Sequence, residues 1–278
     1  MRIFKRFVVA MVLMSVFAFP AFARAPAAVP TASPNYDIYI FPGTLNARSM
    51  TFDQFARAYA PFAAYASKVS GYTIRYVPVT VLSDIRRNLA DGKYPLFMGP
   101  PQFAAFAIKH GYSIVARGDN TIGAAIVARS TVSHGVLTTM PIIVPIKGSL
   151  IDKLAHMTLP TKMKGWTYTT SQDAVAAALQ FHIANAGVMS VRLARWFVAH
   201  HKGFVIVAKS SHALGYAIIA RNNLPAVLSS KLAVALTSEP QSPATSAMIH
   251  SLSHALGGLK SFAAVQNNDY SSLSSSNR

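Results

Sequence analysis

Apolar positions along the chain follow two rhythms, alternation and helical spacing, and the switch between them predicts a run of strands and helices. Asp37-Ile38-Tyr39-Ile40-Phe41 reads as a buried first strand, stopped by Pro42-Gly43-Thr44. Thr51-Phe52-Asp53-Gln54 has the form of a capping box. After it Phe52, Phe55, Tyr59, Phe62, Ala66 and Val69 share one helical face, with Gly71 as the stop and Pro61 as an expected kink. Ile74, Tyr76 and Pro78 alternate in a second strand, and Leu82, Ile85 and Leu89 mark a helix ended by Asp91-Gly92. A third strand, 94–98, turns through Gly99-Pro100-Pro101 into a helix over 102–109. Further strands are expected at 113–116 and 122–128.

The ladder then restarts. Pro141-Ile142-Ile143-Val144-Pro145-Ile146 is broken by Lys147-Gly148-Ser149, and a short amphipathic helix follows. Gly148 allows a tight turn, and Ser149 is suited to take an orphan amide of the first helical turn. A strand feeding a helix start aims free N–H groups and the positive end of the helix dipole at one point, which favours an anion. Lys147 would add a full charge, although the same residues also suit an ordinary strand-to-helix connection. Strands at 166–169, 188, 204–208 and 216–220 alternate with helices at 172–184 and 192–200. A helix to Thr237 is expected to start at Asn223-Leu224-Pro225 with Asn223 as its cap, and a last helix spans 242–256. Such β-α alternation argues for an α/β fold with mostly parallel sheets covered on both faces.

Composition narrows the setting. Met1-Arg2-Ile3-Phe4-Lys5-Arg6 is basic, 7–19 is apolar, and Ala21-Phe22-Ala23 and Ala23-Arg24-Ala25 offer cleavage patterns; 1–25 therefore reads as a secretory signal peptide. The apolar run is short for a membrane span, a retained anchor being the alternative, and no later segment approaches about 20 apolar residues. Residues 26–35 read as a Pro/Ala linker. The chain has no cysteine, so the exported protein would be a periplasmic one without disulfides. Cleavage after Ala25 removes four cations from a net charge of +17, leaving +13 on 253 residues. Acids are scarce, with Glu239 the only glutamate. No block of consecutive cations marks a nucleic-acid site, and the field instead favours small anions or anionic surfaces.

In order and spacing, several segments resemble the substrate-binding proteins of phosphonate, phosphite and phosphate ABC transporters, within the type 2 periplasmic binding protein fold. They are the helix 55–71, Leu96-Phe-Met-Gly-Pro-Pro-Gln-Phe103, Val144-Pro-Ile-Lys-Gly-Ser-Leu150, Thr170-Ser-Gln-Asp-Ala-Val175 and Gly215-Tyr-Ala-Ile-Ile-Ala-Arg-Asn-Asn-Leu-Pro225. The resemblance covers about 36–270. It implies two α/β lobes joined by two crossing strands: lobe 1 at 36–128 plus 215–270, lobe 2 at 129–214, with crossings near 127–129 and 214–216. The Ser-rich tail 271–278 is expected to be disordered. The implied protein is a monomer that closes on a solute and passes it to an ABC transporter permease. A sensor for a membrane partner is the alternative, and a hydrolase on the same fold a more distant one.

Ligands of open α/β sheets sit beyond the strand C-termini, so the strand-to-helix turns are the candidate site. Lobe 1 offers Phe41 and Thr44, then Pro100, Gln102 and Phe103. Lobe 2 offers Lys147, Gly148 and Ser149, then Thr170, Ser171 and Gln172, with Ser190 at the following turn. Backbone amides and hydroxyls suit a phosphoryl-like oxyanion. Each has a plainer reading: Phe41 and Phe103 as core, Thr44 as a turn residue, Lys147 as a solvated cation, Ser171 as a helix cap. Where the family often has Tyr this chain has Phe103, Ser-His-Asp becomes Ser171-Gln172-Asp173, and an acid is missing near Ser190. These departures speak against an amine-bearing phosphonate. No cofactor is implied. His250 and His254 have metal-ligand spacing, but Ser251 stands where a zinc protease needs Glu and no third ligand is evident. His200 and His201 diverge around a helix and suit its C-terminal dipole instead. No cysteine nucleophile and no Gly-x-Ser-x-Gly elbow supports an enzyme.

Overall fold

The computed structural model describes residues 34–43, 50–132, 135–158, 165–238, 241–265, 269–270 and 273. The signal peptide, Thr44 and nearly all of the expected linker lie outside them. The first sheet has the order β13-β4-β12-β3-β1-β2, from β1 (Asn35–Ile40), β2 (Thr73–Pro78), β3 (Leu96–Gly99), β4 (Tyr112–Gly118), β12 (Ala217–Arg221) and β13 (Phe262–Ala263). The second has the order β10-β6-β9-β7-β8, from β6 (Ala124–Arg129), β7 (Ile142–Val144), β8 (Trp166–Tyr168), β9 (Ala186–Ser190) and β10 (Phe204–Lys209). In each sheet the strands followed by a crossover helix pair in parallel, β1 with β2 and β3, β7 with β8 and β9. The returning strands β12 and β6 pair antiparallel with their neighbours.

The first sheet carries α1 (Phe52–Ser70), α2 (Leu82–Ala90), α3 (Pro101–Ile108), α7 (Ala226–Thr237) and α8 (Pro243–Ala255). α1 starts at the predicted capping box: the Gln54 amide donates to Thr51 Oγ1 at 3.3 Å and the Thr51 amide to Gln54 Oε1 at 2.8 Å. It ends at Gly71, whose φ of 80° is the left-handed cap that glycine adopts without a Cβ clash. Its face of Phe55, Tyr59, Phe62 and Ala66 is buried, and the helix runs unbroken through Pro61. α7 starts two residues later than expected. A tight turn, with the Leu224 amide on the Arg221 carbonyl at 3.0 Å, takes up Asn223, and Pro225 occupies the cap position without a side-chain bond.

The second sheet carries α4 (Leu150–Thr158) on one face and α5 (Gln172–Gln180) and α6 (Val191–His200) on the other. Alternation along β6 explains the division: Ala124, Ile126 and Ala128 join the cluster containing α4, while Ala125 and Val127 join that of α5 and α6. α5 stops at Gln180, short of the expected 184, because Phe181 leads into His182 with a φ of 61°. No glycine announces that turn in the sequence.

The passage between the sheets corrects the expected crossing near 127–129. All of β6 pairs with β9 and β10 and so belongs to the second sheet. The crossing falls earlier, where β5 (Thr121–Ile122) pairs antiparallel with β11 (Ala213–Leu214). The apolar run 122–128 hides the change of sheet because it has no period to mark it. The tail is also corrected at one point: Leu273 is buried in the first core. Among the described residues no helix is long and apolar enough to cross a membrane.

Candidate functional site

The C-terminal ends of β1 and β3 face the start of α4 across the boundary between the two sheets. They enclose a cavity of about 10 Å³, room for roughly one water. Phe41, Pro100 and Gln102 line it from the first lobe, Ser149, Leu150 and Ile151 from the second. Ile122 and Tyr216, on or beside the crossing strands, complete the wall. Apolar contact continues through this boundary, since Phe41, Ile122, Leu150 and Ile151 belong to one buried cluster.

Three polar features belong to residues that line the cavity. Gln102 is 4% exposed, and neither its Oε1 nor its Nε2 has a hydrogen-bond partner. Such burial costs free energy unless a partner arrives. Opposite it, Ser149 Oγ accepts the Asp152 amide at 3.2 Å, which leaves its own proton to donate. The amides of Leu150 and Ile151, in the first turn of α4, have no acceptor among the described residues, as expected of helix starts. α3 contributes less, because Pro100 and Pro101 carry no N–H.

Gly148 makes the expected tight turn, in a left-handed conformation with φ 79°. Its amide is already used: it donates to Asp152 Oδ2 at 2.7 Å. Asp152 also accepts from the Tyr168 hydroxyl at 3.3 Å and lies 3.0 Å from His156 Nδ1. Burial, reinforced by the Asp152 carboxylate, pushes the Tyr168 hydroxyl up to about 12. Lys147 is exposed and sits 5.9 Å from the centre of the Tyr168 ring, away from the cavity wall.

The other expected site residues fall elsewhere. Phe103 is fully buried and packs edge-on against Phe41 and Phe97, so it is core. Thr170 is exposed, and Ser171 caps α5 by accepting the Ala174 amide at 3.0 Å. Gln172 Oε1 accepts the Ser190 amide at 2.6 Å, and Ser190 Oγ accepts from Leu193 at 3.3 Å as the cap of α6. Gln172 and Ser190 are buried within lobe 2, and neither of these turns lines the cavity. Ile122 and Tyr216 escaped notice in the sequence. Tyr216 is completely buried, which raises its pKa well above the ordinary tyrosine value, and its hydroxyl donates to the Pro42 carbonyl at 2.7 Å. Among the described residues no group of three His, Asp or Glu side chains could hold a metal ion. His200 and His201 each approach a carbonyl of their own helix instead, at 2.7 and 3.0 Å.

No family model and no curated protein matches the sequence. Solved structures do match. A Xanthomonas citri protein bound to ATP superposes with a TM-score of 0.70 at 11% identity, over 88% of this chain and 97% of its own. The fold is that of a two-lobed periplasmic binding protein. PhnD1 from Prochlorococcus marinus, in complex with methylphosphonate, has this binding-protein fold with a TM-score of 0.67 at 12% identity, covering 87% of this chain and 96% of that one. The binding component of an ABC phosphonate transporter from Pseudomonas aeruginosa gives 0.62 at 13%, over 86% and 83%. At these identities the likeness is one of fold, and the cavity described above lies where this architecture brings its lobes together.

Proposed function

We propose that the protein is a periplasmic solute-binding protein that captures a small oxyanion, phosphonate- or phosphate-like, between its lobes and delivers it to an ABC transporter. One observation carries the reading: a buried, unpartnered Gln102 amide on lobe 1 faces a hydroxyl and two unsatisfied amides at the α4 start on lobe 2. Neutral donors and a helix dipole stabilise an oxyanion without titrating themselves. The fold shared with a binding component of an ABC phosphonate transporter and with a protein in complex with methylphosphonate supports it. So does the excess of cations, which draws anions to the surface.

The cavity is too small for a phosphoryl group as it stands, so loading requires the lobes to part about the β5 and β11 pair and close again on the ligand. Contacts available only when both lobes engage the anion then favour the closed form. The N-terminal apolar segment would direct export. A thermal-shift screen of methylphosphonate, phosphite, phosphate, sulfonates and sulfate tests the reading. A ligand at 100 times its Kd stabilises by about 2.7 kcal/mol. Stabilisation by an uncharged solute, with none from any anion, would refute it.

A further inference from the structure

We propose that a cationic face of lobe 2, built around an exposed tryptophan, docks on an anionic phospholipid surface. The face is organised on α6. Val191, Leu193, Ala194 and Phe197 form the buried side of this helix, which packs on β6, β9 and β10. Arg192, Arg195, Trp196 and His200 recur at helical spacing on the outer side and are all exposed. Trp196 keeps 52% of its surface in water and stacks on His200 at 4.7 Å.

A row of rings continues the face to the end of α5. His201 meets Trp196 edge-on at 6.0 Å and stacks on Phe197 at 4.2 Å. Phe197 meets Phe204 at 5.2 Å, and Phe204 lies 6.5 Å from His182. On either side of His182, Phe181 and Ile183 are 70% and 77% exposed. Three large apolar side chains are thus left in water around one buried ring pair, the mark of a surface that meets a partner.

Charge says what kind of partner. Arg192, Arg195 and Lys202 are exposed and form no hydrogen bond or ion pair among the described residues. The chain has no Asp or Glu between Asp173 and Glu239, so α6, β9 and β10 carry no carboxylate, and neither does β6. Asp173 sits in the first turn of α5, the end away from Phe181. Aromatic side chains with a polar edge settle at membrane interfaces, where cations beside them meet lipid phosphates. A protein surface presents mixed charges, and a face with cations alone complements a continuous anionic surface better. This face covers the side of the second sheet opposite α4, and none of its residues lines the inner cavity. Docking would leave the cleft open, whichever solute it takes.

Co-sedimentation of the exported chain with vesicles of phosphatidylcholine alone, and of equimolar phosphatidylcholine and phosphatidylglycerol, tests the inference. The anionic vesicles should bind about tenfold tighter or more. Combining Arg192→Gln with Arg195→Gln should weaken that binding by about tenfold. Combining Arg57→Gln with Lys68→Gln, which removes two exposed cations of α1 on lobe 1, should leave it nearly unchanged. Tryptophan emission adds a reading that general charge does not move. It should shift to the blue on anionic vesicles in the wild type and stay in place in Trp196→Phe, where Trp166 is the remaining tryptophan. Thermal melts confirm that the variants fold. Equal binding to both vesicles, equal loss in the two double variants, or an unmoved Trp196 emission overturns the inference. Binding to neither vesicle overturns it as well and leaves the face to a protein partner. Anion-induced thermal shifts are measured without lipid, so either reading can fail while the other stands.

Discussion

The Gly148 amide donates to the Asp152 carboxylate at 2.7 Å, so the chain places an anion of its own at the start of α4. This carboxylate steadies the turn and also opposes a ligand anion nearby. Asp152→Asn should lower stability by about 1 kcal/mol through the weakened cap. It should also tighten oxyanion binding about threefold or more by removing a nearby like charge. Urea unfolding and titration with methylphosphonate read the two effects separately, and weaker binding in the variant would contradict the second.

Gln102 sets stability against binding. Its buried amide lacks partners, so Gln102→Leu should stabilise the free protein by about 1 kcal/mol. The same change should abolish the anion-induced rise in melting temperature. Ser171→Ala serves as the contrast: it loses an α5 cap worth about 1 kcal/mol and keeps the anion response, because Ser171 does not line the cavity. A Gln102→Leu protein that still responds fully to anion would remove this residue from the site.

Gly43 and Tyr216 occupy one space. Gly43 has a φ of 66°, and an added Cβ would overlap the Tyr216 hydroxyl that bonds the Pro42 carbonyl. Gly43→Ala should cost about 2 kcal/mol or more, combining left-handed strain with the lost hydrogen bond. Tyr216→Phe removes the bond alone and should cost less. Comparable urea midpoints for Gly43→Ala and wild type would contradict the arrangement.

Alkaline pH should loosen the α4 turn. The folded-state pKa of Tyr168, about 12, lies above the ordinary value of 10.0, so the folded protein holds this proton when the unfolded chain has released it. Its contribution is intact below pH 10 and is lost as pH rises towards 12. Stability measured across that window should fall, and Tyr168→Phe should make the fall shallower. An identical slope in the variant would assign the effect to other tyrosines, of which Tyr59, Tyr216 and Tyr270 are also shifted upward.

The helix starts and stops that use local chemistry were readable in advance: the Thr51 and Gln54 box, the Gly71 stop and the Ser171 cap each act within a few residues. The same holds for Gly148 and Ser149, whose turn forms as their order implies. Where the determinant is not local, the sequence carries no mark of it. The end of α5 at His182 lacks a glycine, and the change of sheet at 122–124 lies inside an unbroken apolar run.

By itself, then, the sequence determined the alternation of strands and helices and the turn that starts α4, because periodicity and capping are properties of neighbouring residues; the two-lobed class was implied by the resemblance of whole segments. Only the tertiary structure decided which turns meet. It sent Phe103 into the core, kept the turns at Ser171 and Ser190 off the cavity wall, and gave the Gly148 amide to Asp152. It also brought Gln102, Tyr216 and Ser149 to one cavity from positions far apart in the chain. Those meetings depend on how two sheets pack across a crossing, and pattern along a single chain carries no record of that.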